Sequence, residues 1–353
     1  MLVCTRCGKV HPESFIMKCE CGGTLLVKRE YNSFSPDFRY FDMRRYLEYI
    51  PVEEEFLPHL HPGITPISEV NIGSVDAVFK LEYLHPSGSF KDRGTYVTIA
   101  KLKEEGIHEV VLDSSGNAGL SMALYALFSG IKVHIFLSYN TKPEKVSLLM
   151  RLNARVHFVE GDRMEVHKRA VEFSEREGVT YVSHWLNPYF LEGTKTVAYE
   201  VYEQIGVPEY VIVPVGSGTL FIGIWKGFRE LVEMGETNIM PKMVAVQSSG
   251  YESLCERSPI KNFLADGIAI PEPPRKDEMV KILRETNGTC VSITEGETLA
   301  ALSWLKRNGF IVEPTSATAL AGLWKLMEDD LIEKGARVLI PLTGSGLKLT
   351  EGI

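Results

Sequence analysis

The sequence predicts an α/β protein, with two doubly wound parallel-sheet domains behind a small cysteine-rich segment. Three observations carry this. From about residue 75 onward, short β-branched runs alternate with helical stretches of roughly 10–15 residues, the pattern of strands joined by crossover helices. The run Tyr210-Val211-Ile212-Val213-Pro214-Val215 is apolar without alternation, as a strand buried on both faces of a parallel sheet requires. Four of the six cysteines fall within the first 21 residues, which marks that stretch as different from the rest. The chain has 353 residues, too many for one small core and suited to two domains plus an appendage.

Taken in order, residues 1–28 read as short hairpins built around Cys4-Thr5-Arg6-Cys7-Gly8 and Cys19-Glu20-Cys21-Gly22-Gly23. A linker follows, punctuated by Pro36, Pro51, Pro58, Pro62 and Pro66. Strands are expected at 77–81, 110–113, 132–137, 156–160, 210–215, 243–247 and 338–341. A helix is expected from just after Lys91 to near Gly106, and another over 118–129, which Gly130 closes as a C-cap. A helix over 142–152 has Pro143 in its first turn, where the missing N–H costs nothing. Further helices are expected at 164–177, 191–205, 221–234, 299–308 and 316–325, with Ser316 as an N-cap. No internal repeat or low-complexity tract appears.

Composition narrows the function classes. The apolar share is 44% and the charged share 24%, both ordinary for a globular protein. The net charge of −8 argues against a broad nucleic-acid surface, although a local pocket can still hold an anion. The first residues lead into cysteines rather than an apolar run, and no stretch approaches the roughly 20 apolar residues of a membrane helix. The expectation is a cytoplasmic protein with no membrane or nucleic-acid partner.

The segment His85-Pro86-Ser87-Gly88-Ser89-Phe90-Lys91-Asp92-Arg93-Gly94 carries the central chemistry. A lysine amine condenses with an aldehyde to a protonated imine, an electron sink for carbanions. Once released, the same amine can serve as a base beside the substrate's α-carbon. The segment resembles the active-site lysine segment of the threonine synthase branch of fold-type II pyridoxal-phosphate (PLP) enzymes, Asn-Pro-Thr-Gly-Ser-Phe-Lys-Asp-Arg-Gly. Here His85 replaces Asn and Ser87 replaces Thr, while the core from Gly88 to Gly94 is intact. The similarity runs from about Gly63 to Lys348, most of the chain.

Three loops then stand in the family's order. Asp113-Ser114-Ser115-Gly116-Asn117-Ala118-Gly119 lies between a strand and a helix, where backbone N–H groups can meet an anion. The resemblance makes Asn117 a cofactor-ring contact and Ser114, Ser115, Asn117 and Ala118 part of the substrate site. Gly216-Ser217-Gly218-Thr219 follows the apolar strand and precedes a helix; the resemblance makes it the cofactor-phosphate loop. Thr343-Gly344-Ser345-Gly346-Leu347-Lys348 resembles the family's Thr-Gly-His-Gly-Leu-Lys, with Ser345 departing from it. The resemblance sets Thr343 at the pyridine nitrogen. A neutral hydroxyl there moderates the electron sink and favours elimination and replacement over transamination.

Other segments bear on the substrate. Gly63-Ile64-Thr65-Pro66-Ile67 resembles the segment that opens the family's catalytic core and has a structural role there. The stretch from Asn187 to Thr196 resembles Asn-Pro-x-Arg-x-x-Gly-Gln-Lys-Thr, which makes Asn187 a substrate-phosphate contact. Phe190 stands where the family often has Arg, Thr194 where it has Gln, and Ala118 where many threonine synthases have Thr. Lys145 and Arg151 can supply a cation to a phosphorylated substrate, but a solvated helix face is the plainer reading.

Two close thiol pairs on hairpin tips, Cys4/Cys7 and Cys19/Cys21, can complete a tetrahedral zinc site. A ribbon of this kind precedes the core of some threonine synthases. Four thiols suffice, so His11 is not expected as a ligand. Cys255 and Cys290 are isolated in sequence and read as packing or surface residues.

The resemblance implies an enzyme that converts O-phosphohomoserine and water to threonine and phosphate, with Lys91 catalytic and PLP bound between two domains. The domains would be 29–94 with 186–353, and a smaller mobile one over 95–185. It also implies a homodimer. The nearest rival is a cysteine or cysteate synthase using O-phosphoserine, or a serine/threonine dehydratase. A binding module with a vestigial core is a third reading, which the complete lysine motif opposes.

Overall fold

The computed structural model describes residues 1–161 and 163–348. They form two compact units, one drawing on Met1–Arg29, Pro36–Gly63 and Lys91–Gly193, the other on Glu30–Ser35, Ile64–Phe90 and the chain from Thr194 onward.

The first unit holds a four-stranded, wholly parallel sheet in the order Arg155–Val159, Lys132–Ser138, Glu109–Leu112, Thr180–Tyr181. Its strands alternate side chains between two covered faces. Val110, Leu112, Val133, Ile135 and Leu137 join a core with the helices Lys91–Glu104 and Asn117–Leu127. Val111, Phe136 and Val159 pack on the other face against Val166 and Ala170 of the helix Arg163–Glu177. Helices on both faces make the sheet doubly wound, as the alternation predicts. A three-stranded antiparallel sheet, Val10–His11, Leu2–Cys4, Leu25–Val27, folds the cysteine segment. Its apolar residues Leu2, Leu25 and Val27 belong to the same core as the first helix.

The second unit holds six strands in the order Thr289–Ile293, Lys242–Ser248, Tyr210–Pro214, Arg337–Pro341, Val75–Lys80, Ile67–Ile72. All neighbours pair in parallel except the last two, which form an edge hairpin. Every residue of Tyr210–Pro214 is buried, which accounts for its unbroken apolar sequence. Ile212, Val244, Val338 and Ile340 face the helices Glu295–Arg307 and Pro314–Glu328. The alternate residues Val211, Val213, Ala245 and Leu339 point to the opposite face and are equally buried.

Three expectations change. Ser316 is not an N-cap: the helix begins at Pro314, and Ser316 turns its hydroxyl to Thr343 and Gly344 instead. The helix expected over 191–205 is two helices, Pro188–Thr194 and Thr196–Ile205. Cys255 and Cys290 are not isolated. The structure joins them as a disulfide with Cα atoms 5.6 Å apart, because Cys290 lies on the unanticipated strand Thr289–Ile293. No helix among the described residues is long and apolar enough to cross a membrane.

Candidate active site

The residues leading into Lys91 are held by backbone geometry. Gly88 has φ +74°, a left-handed conformation that disfavours any side chain. A Cβ there would also lie 3.2 Å from Ser345 Cβ and 3.3 Å from Lys348 Cδ. The Gly88 carbonyl accepts from the Ser345 N–H and from Lys348 Nζ, both at 2.9 Å. Ser89 bridges to Gly344, and the Phe90 N–H donates to the Thr343 carbonyl at 3.1 Å. The stretch just before Lys91 is thus strapped along the loop that contains Thr343. Lys91 then opens the helix Lys91–Glu104.

A buried polar network backs this strap. Lys80 Nζ donates to Glu200 Oε2 (2.6 Å), the Thr65 carbonyl (2.6 Å) and Gln204 Oε1 (2.9 Å). Thr65 Oγ1 donates to Glu82 Oε1 at 2.7 Å, and Glu82 Oε2 meets His85 Nε2 at 3.2 Å. Thr65 therefore has the structural role expected of it. His85, the departure from the family's Asn, has a carboxylate partner, while its backbone carbonyl accepts the Gly88 N–H.

Lys91 Nζ lies 5.7 Å from the centre of the Phe190 ring. The ring fills the space where a Cβ on Gly94 would sit, so the ring at 190 requires glycine at 94. An apolar surface therefore stands beside the amine where the family often has a guanidinium. Asn187 is fully buried. Its Oδ1 accepts from the Tyr189 N–H at 2.9 Å, capping the short helix Pro188–Thr194, and its Nδ2 donates to Thr98 Oγ1 at 2.8 Å.

In the same unit the loop 114–117 leaves the strand Glu109–Leu112 and runs into the helix Asn117–Leu127, capped by Gly116. A Cβ on Gly119 would overlap the Ser114 carbonyl, so this glycine lets the loop fold onto its own helix. The first N–H groups of that helix have no intrahelical acceptor and suit a carboxylate. Ala118 is buried in that first turn. The base of the loop has an anchor that the sequence reading missed. Asp113 accepts from Tyr181 OH at 2.9 Å through Oδ1, and its Oδ2 lies 3.0 Å from His167 Nδ1. The only sequence signal was an acidic residue directly before the serines. Lys145 and Arg151 lie on the helix Pro143–Arg151; Arg151 is exposed and borders an open groove lined by Tyr139, Val146 and Phe158.

In the second unit the loop 216–219 follows Tyr210–Pro214 and begins the helix Thr219–Glu233. Gly218 caps it in the left-handed region (φ +83°), against Met279. A Cβ on Gly216 would lie 2.8 Å from Ile268 Cα. The loop is a tight backbone cradle at the N-terminus of a 15-residue helix, with Ser217 and Thr219 buried. Thr343 is also buried, and its hydroxyl shares a 2.9 Å hydrogen bond with Ser316 Oγ. A primary amine, a cradle for a phosphate and a buried neutral hydroxyl are the groups that an aldehyde-bearing pyridine phosphate needs. The residues present fit that cofactor.

The four N-terminal thiols come together. Cys4 and Cys21 Sγ are 3.5 Å apart, Cys7 and Cys19 Sγ 3.7 Å, and all four lie within 4.8 Å of one another. Tetrahedral thiolates around zinc at about 2.3 Å would stand about 3.8 Å apart. Burial pushes the Cys4 thiol up, yet the Cys7 and Arg6 N–H groups outweigh it and hold the thiol down at about 6. The Lys9 N–H lowers Cys7, but its thiol neighbours Cys21 and Cys4 raise it further, to about 12. A divalent cation among the four sulfurs would favour the thiolate form of each and displace the protons that they otherwise keep. His11 Nε2 sits 3.3 Å from Cys19 Sγ, as a hydrogen-bond partner.

The model of a family described as pyridoxal-phosphate dependent enzymes matches residues 59–344. The chain is 33% identical to a threonine synthase of Methanocaldococcus jannaschii and 31% identical to one of Methanosarcina acetivorans, in each case over 98% of this chain and 92% of the relative. Its fold resembles a processed threonine deaminase isoform from Solanum lycopersicum, with TM-score 0.72, 20% identity, and coverage of 96% of this chain and 94% of that one. It also resembles a serine racemase from Dictyostelium discoideum, with TM-score 0.68, 25% identity, and coverage of 80% and 93%.

Proposed function

The chain belongs to the pyridoxal-phosphate dependent enzyme family, and on that premise we propose that it is a threonine synthase, converting O-phosphohomoserine and water to threonine and phosphate. The observation that carries this reading is near-full-length similarity to proteins named threonine synthase, coupled to an intact lysine segment.

When bound, the cofactor supplies an electron sink for the substrate's carbanions. Lys91 is the attachment point for the cofactor aldehyde and, once displaced, takes and returns protons at the substrate's α-carbon. Phe190 keeps an apolar face beside that amine and limits the water that reaches it. Ser114, Ser115 and the N–H groups at Asn117 and Ala118 would hold the substrate carboxylate at the helix N-terminus, and Asn117 would contact the cofactor ring. Gly216, Ser217, Gly218 and Thr219 hold the cofactor phosphate. Thr343 offers the pyridine nitrogen a hydroxyl that does not keep it protonated, which disfavours transamination. Asn187 contributes by fixing the helix that carries Phe190. The four-thiol cluster holds a structural zinc ion.

The test is to supply O-phosphohomoserine and O-phosphoserine separately and to assay phosphate, threonine and oxo-acids, with Lys91→Ala as control. Threonine with equimolar phosphate from phosphohomoserine alone supports the proposal. Phosphate from phosphoserine only, or oxo-acid as the main product, moves the protein to β-replacement or dehydration and leaves the Lys91 assignment standing.

A further inference from the structure

We propose that Cys255 and Cys290 are a reversible dithiol–disulfide pair, and that its oxidation locks the segment walling the 216–219 loop and slows release of the cofactor. The proposal rests on the reading of that loop as the cofactor-phosphate site.

The two sulfurs are held face to face by contacts that do not involve sulfur. Cys290 lies on the strand Thr289–Ile293, in register with Ala245 of the neighbouring strand. The Cys255 turn is fastened to that same neighbour, since Gln247 Oε1 accepts from the N–H groups of Ser253 (3.0 Å), Leu254 (2.7 Å) and Cys255 (3.2 Å). Ser292 Oγ donates to Glu252 Oε1 at 2.6 Å and ties the turn to the Cys290 strand as well. The Cα separation of 5.6 Å falls inside the span of about 4.4–6.8 Å that a disulfide bridges without backbone movement. Both residues are partly exposed, within reach of a small thiol reagent.

The segment that the pair closes has a sequence separation of 35 and supplies both walls of the 216–219 loop. Gly216 packs on Ile268, and Gly218 on Met279 of the helix Lys276–Glu285. The Gly267 N–H is fixed to Thr315 Oγ1 at 3.2 Å. Release of the cofactor takes hydrolysis by water of its bond to Lys91, giving back the amine and the aldehyde, and then departure of the phosphate from its cradle, which the walls must open to allow. With the disulfide formed, both ends of the walling segment are covalently joined at the sheet and fewer open states exist. With two thiols, the ends are held together only by the hydrogen bonds to Gln247 and Glu252, which break and re-form far more readily than a covalent bond.

The chemistry balances with a low-molecular-weight disulfide such as glutathione disulfide as oxidant. One cysteine thiolate attacks it and expels one glutathione thiolate. The second cysteine then attacks the mixed disulfide and expels the other. The S–S bond of glutathione breaks and the Cys255–Cys290 bond forms. Two electrons pass to the small disulfide, which takes up the two protons and leaves as two thiols. A small dithiol reverses the exchange.

The test uses holoenzyme equilibrated with glutathione disulfide or with a dithiol. Alkylation under denaturing conditions with peptide mapping reports the state of Cys255 and Cys290 apart from the four N-terminal thiols. Loss of the bound cofactor's visible absorbance on dilution reports its release. We expect both cysteines to resist alkylation only after oxidation, and release to be about threefold or more slower in that state. The double variant Cys255→Ser/Cys290→Ser should release at the fast rate under both conditions. Thiols that stay alkylatable after oxidation, or equal release rates in the two wild-type states, overturn the proposal, and neither comparison depends on the variant folding. Competition of inorganic phosphate with the cofactor for apoprotein tests the loop assignment separately. Its absence sinks that reading without touching the thiol result.

Discussion

Gly88 meets two demands at once, a left-handed backbone and close contact with Ser345 and Lys348. Gly88→Ala should cost about 1–3 kcal/mol of strain and loosen the strap into Lys91. A lower unfolding midpoint together with weaker cofactor absorbance checks both consequences; a lower midpoint with normal absorbance would mean that the strap does not orient Lys91. Phe190 is legible in sequence only as a departure, and its environment explains it. Phe190→Ala should cost about 3–5 kcal/mol by leaving a cavity against Gly94 and beside the Lys91 amine. It should also raise the share of oxo-acid product, since water then reaches the amine. Unchanged product partition in a variant that is merely less stable would deny the ring any part in excluding water. Asp113 anchors the loop 114–117, proposed to hold the substrate carboxylate, through Tyr181 and His167. Asp113→Asn should raise KM more than it lowers kcat, by about tenfold for a charge-assisted bond lost. An equal fall in kcat with KM unchanged would place Asp113 elsewhere in the reaction.

At the scale of elements, what the sequence made legible follows burial. Tyr210–Pro214 is buried on both faces, and its composition says so without ambiguity. The strand Thr289–Ile293 alternates half-buried Thr, Cys and Ser with apolar residues, and the edge strand Ile67–Ile72 is half exposed, so neither resembles a parallel-sheet core. With Thr289–Ile293 unseen, Cys290 had no neighbour and the pairing with Cys255 could not be read. The three glycine-bearing loops and the lysine segment were legible because tight backbone approach demands glycine. The Lys80–Glu200 pair was not, since only the folded sheet brings residues so far apart in sequence together. The ribbon gives a prediction in acid. The Arg29 guanidinium holds the Glu13 carboxyl at about 2, with the N-terminal ammonium adding to it. A depressed folded-state value stabilises above the ordinary carboxyl range and is lost as pH falls through about 2. Glu13 is partly exposed, so after screening the contribution is about 1 kcal/mol. Glu13→Gln should lower stability near neutral pH by that amount and match wild type at the acid end. A constant difference across the pH range in denaturant melts would assign the loss to packing instead.

At the scale of the whole chain, the cysteine ribbon belongs to the same unit as the helix Lys91–Glu104. Leu2, Leu25 and Val27 share one core with Tyr96, Val97 and Ala100 of the helix that starts at Lys91. Phe15 stacks on Tyr189 at 6.3 Å, and Tyr189 OH donates to the Ser14 carbonyl at 3.1 Å. Tyr189 is next in chain to Phe190, and its N–H is held by Asn187. These contacts give a disturbance of the ribbon a packed route to the ring beside Lys91. With zinc bound by the four thiols as proposed, strong chelation should release them to a colorimetric reagent and lower Tm. Deletion of residues 1–28 should do more, because it also bares the apolar core. At about 2–4 °C per kcal/mol for a large domain, the loss of several buried side chains should exceed about 5 °C in Tm. Cofactor occupancy should fall with it, because the helix carrying Phe190 loses its support at Tyr189. If the shortened chain keeps wild-type Tm and occupancy, the ribbon is an autonomous module and the shared core contributes nothing to the site. If Tm falls while occupancy holds, the ribbon stabilises the unit without shaping the surroundings of Lys91.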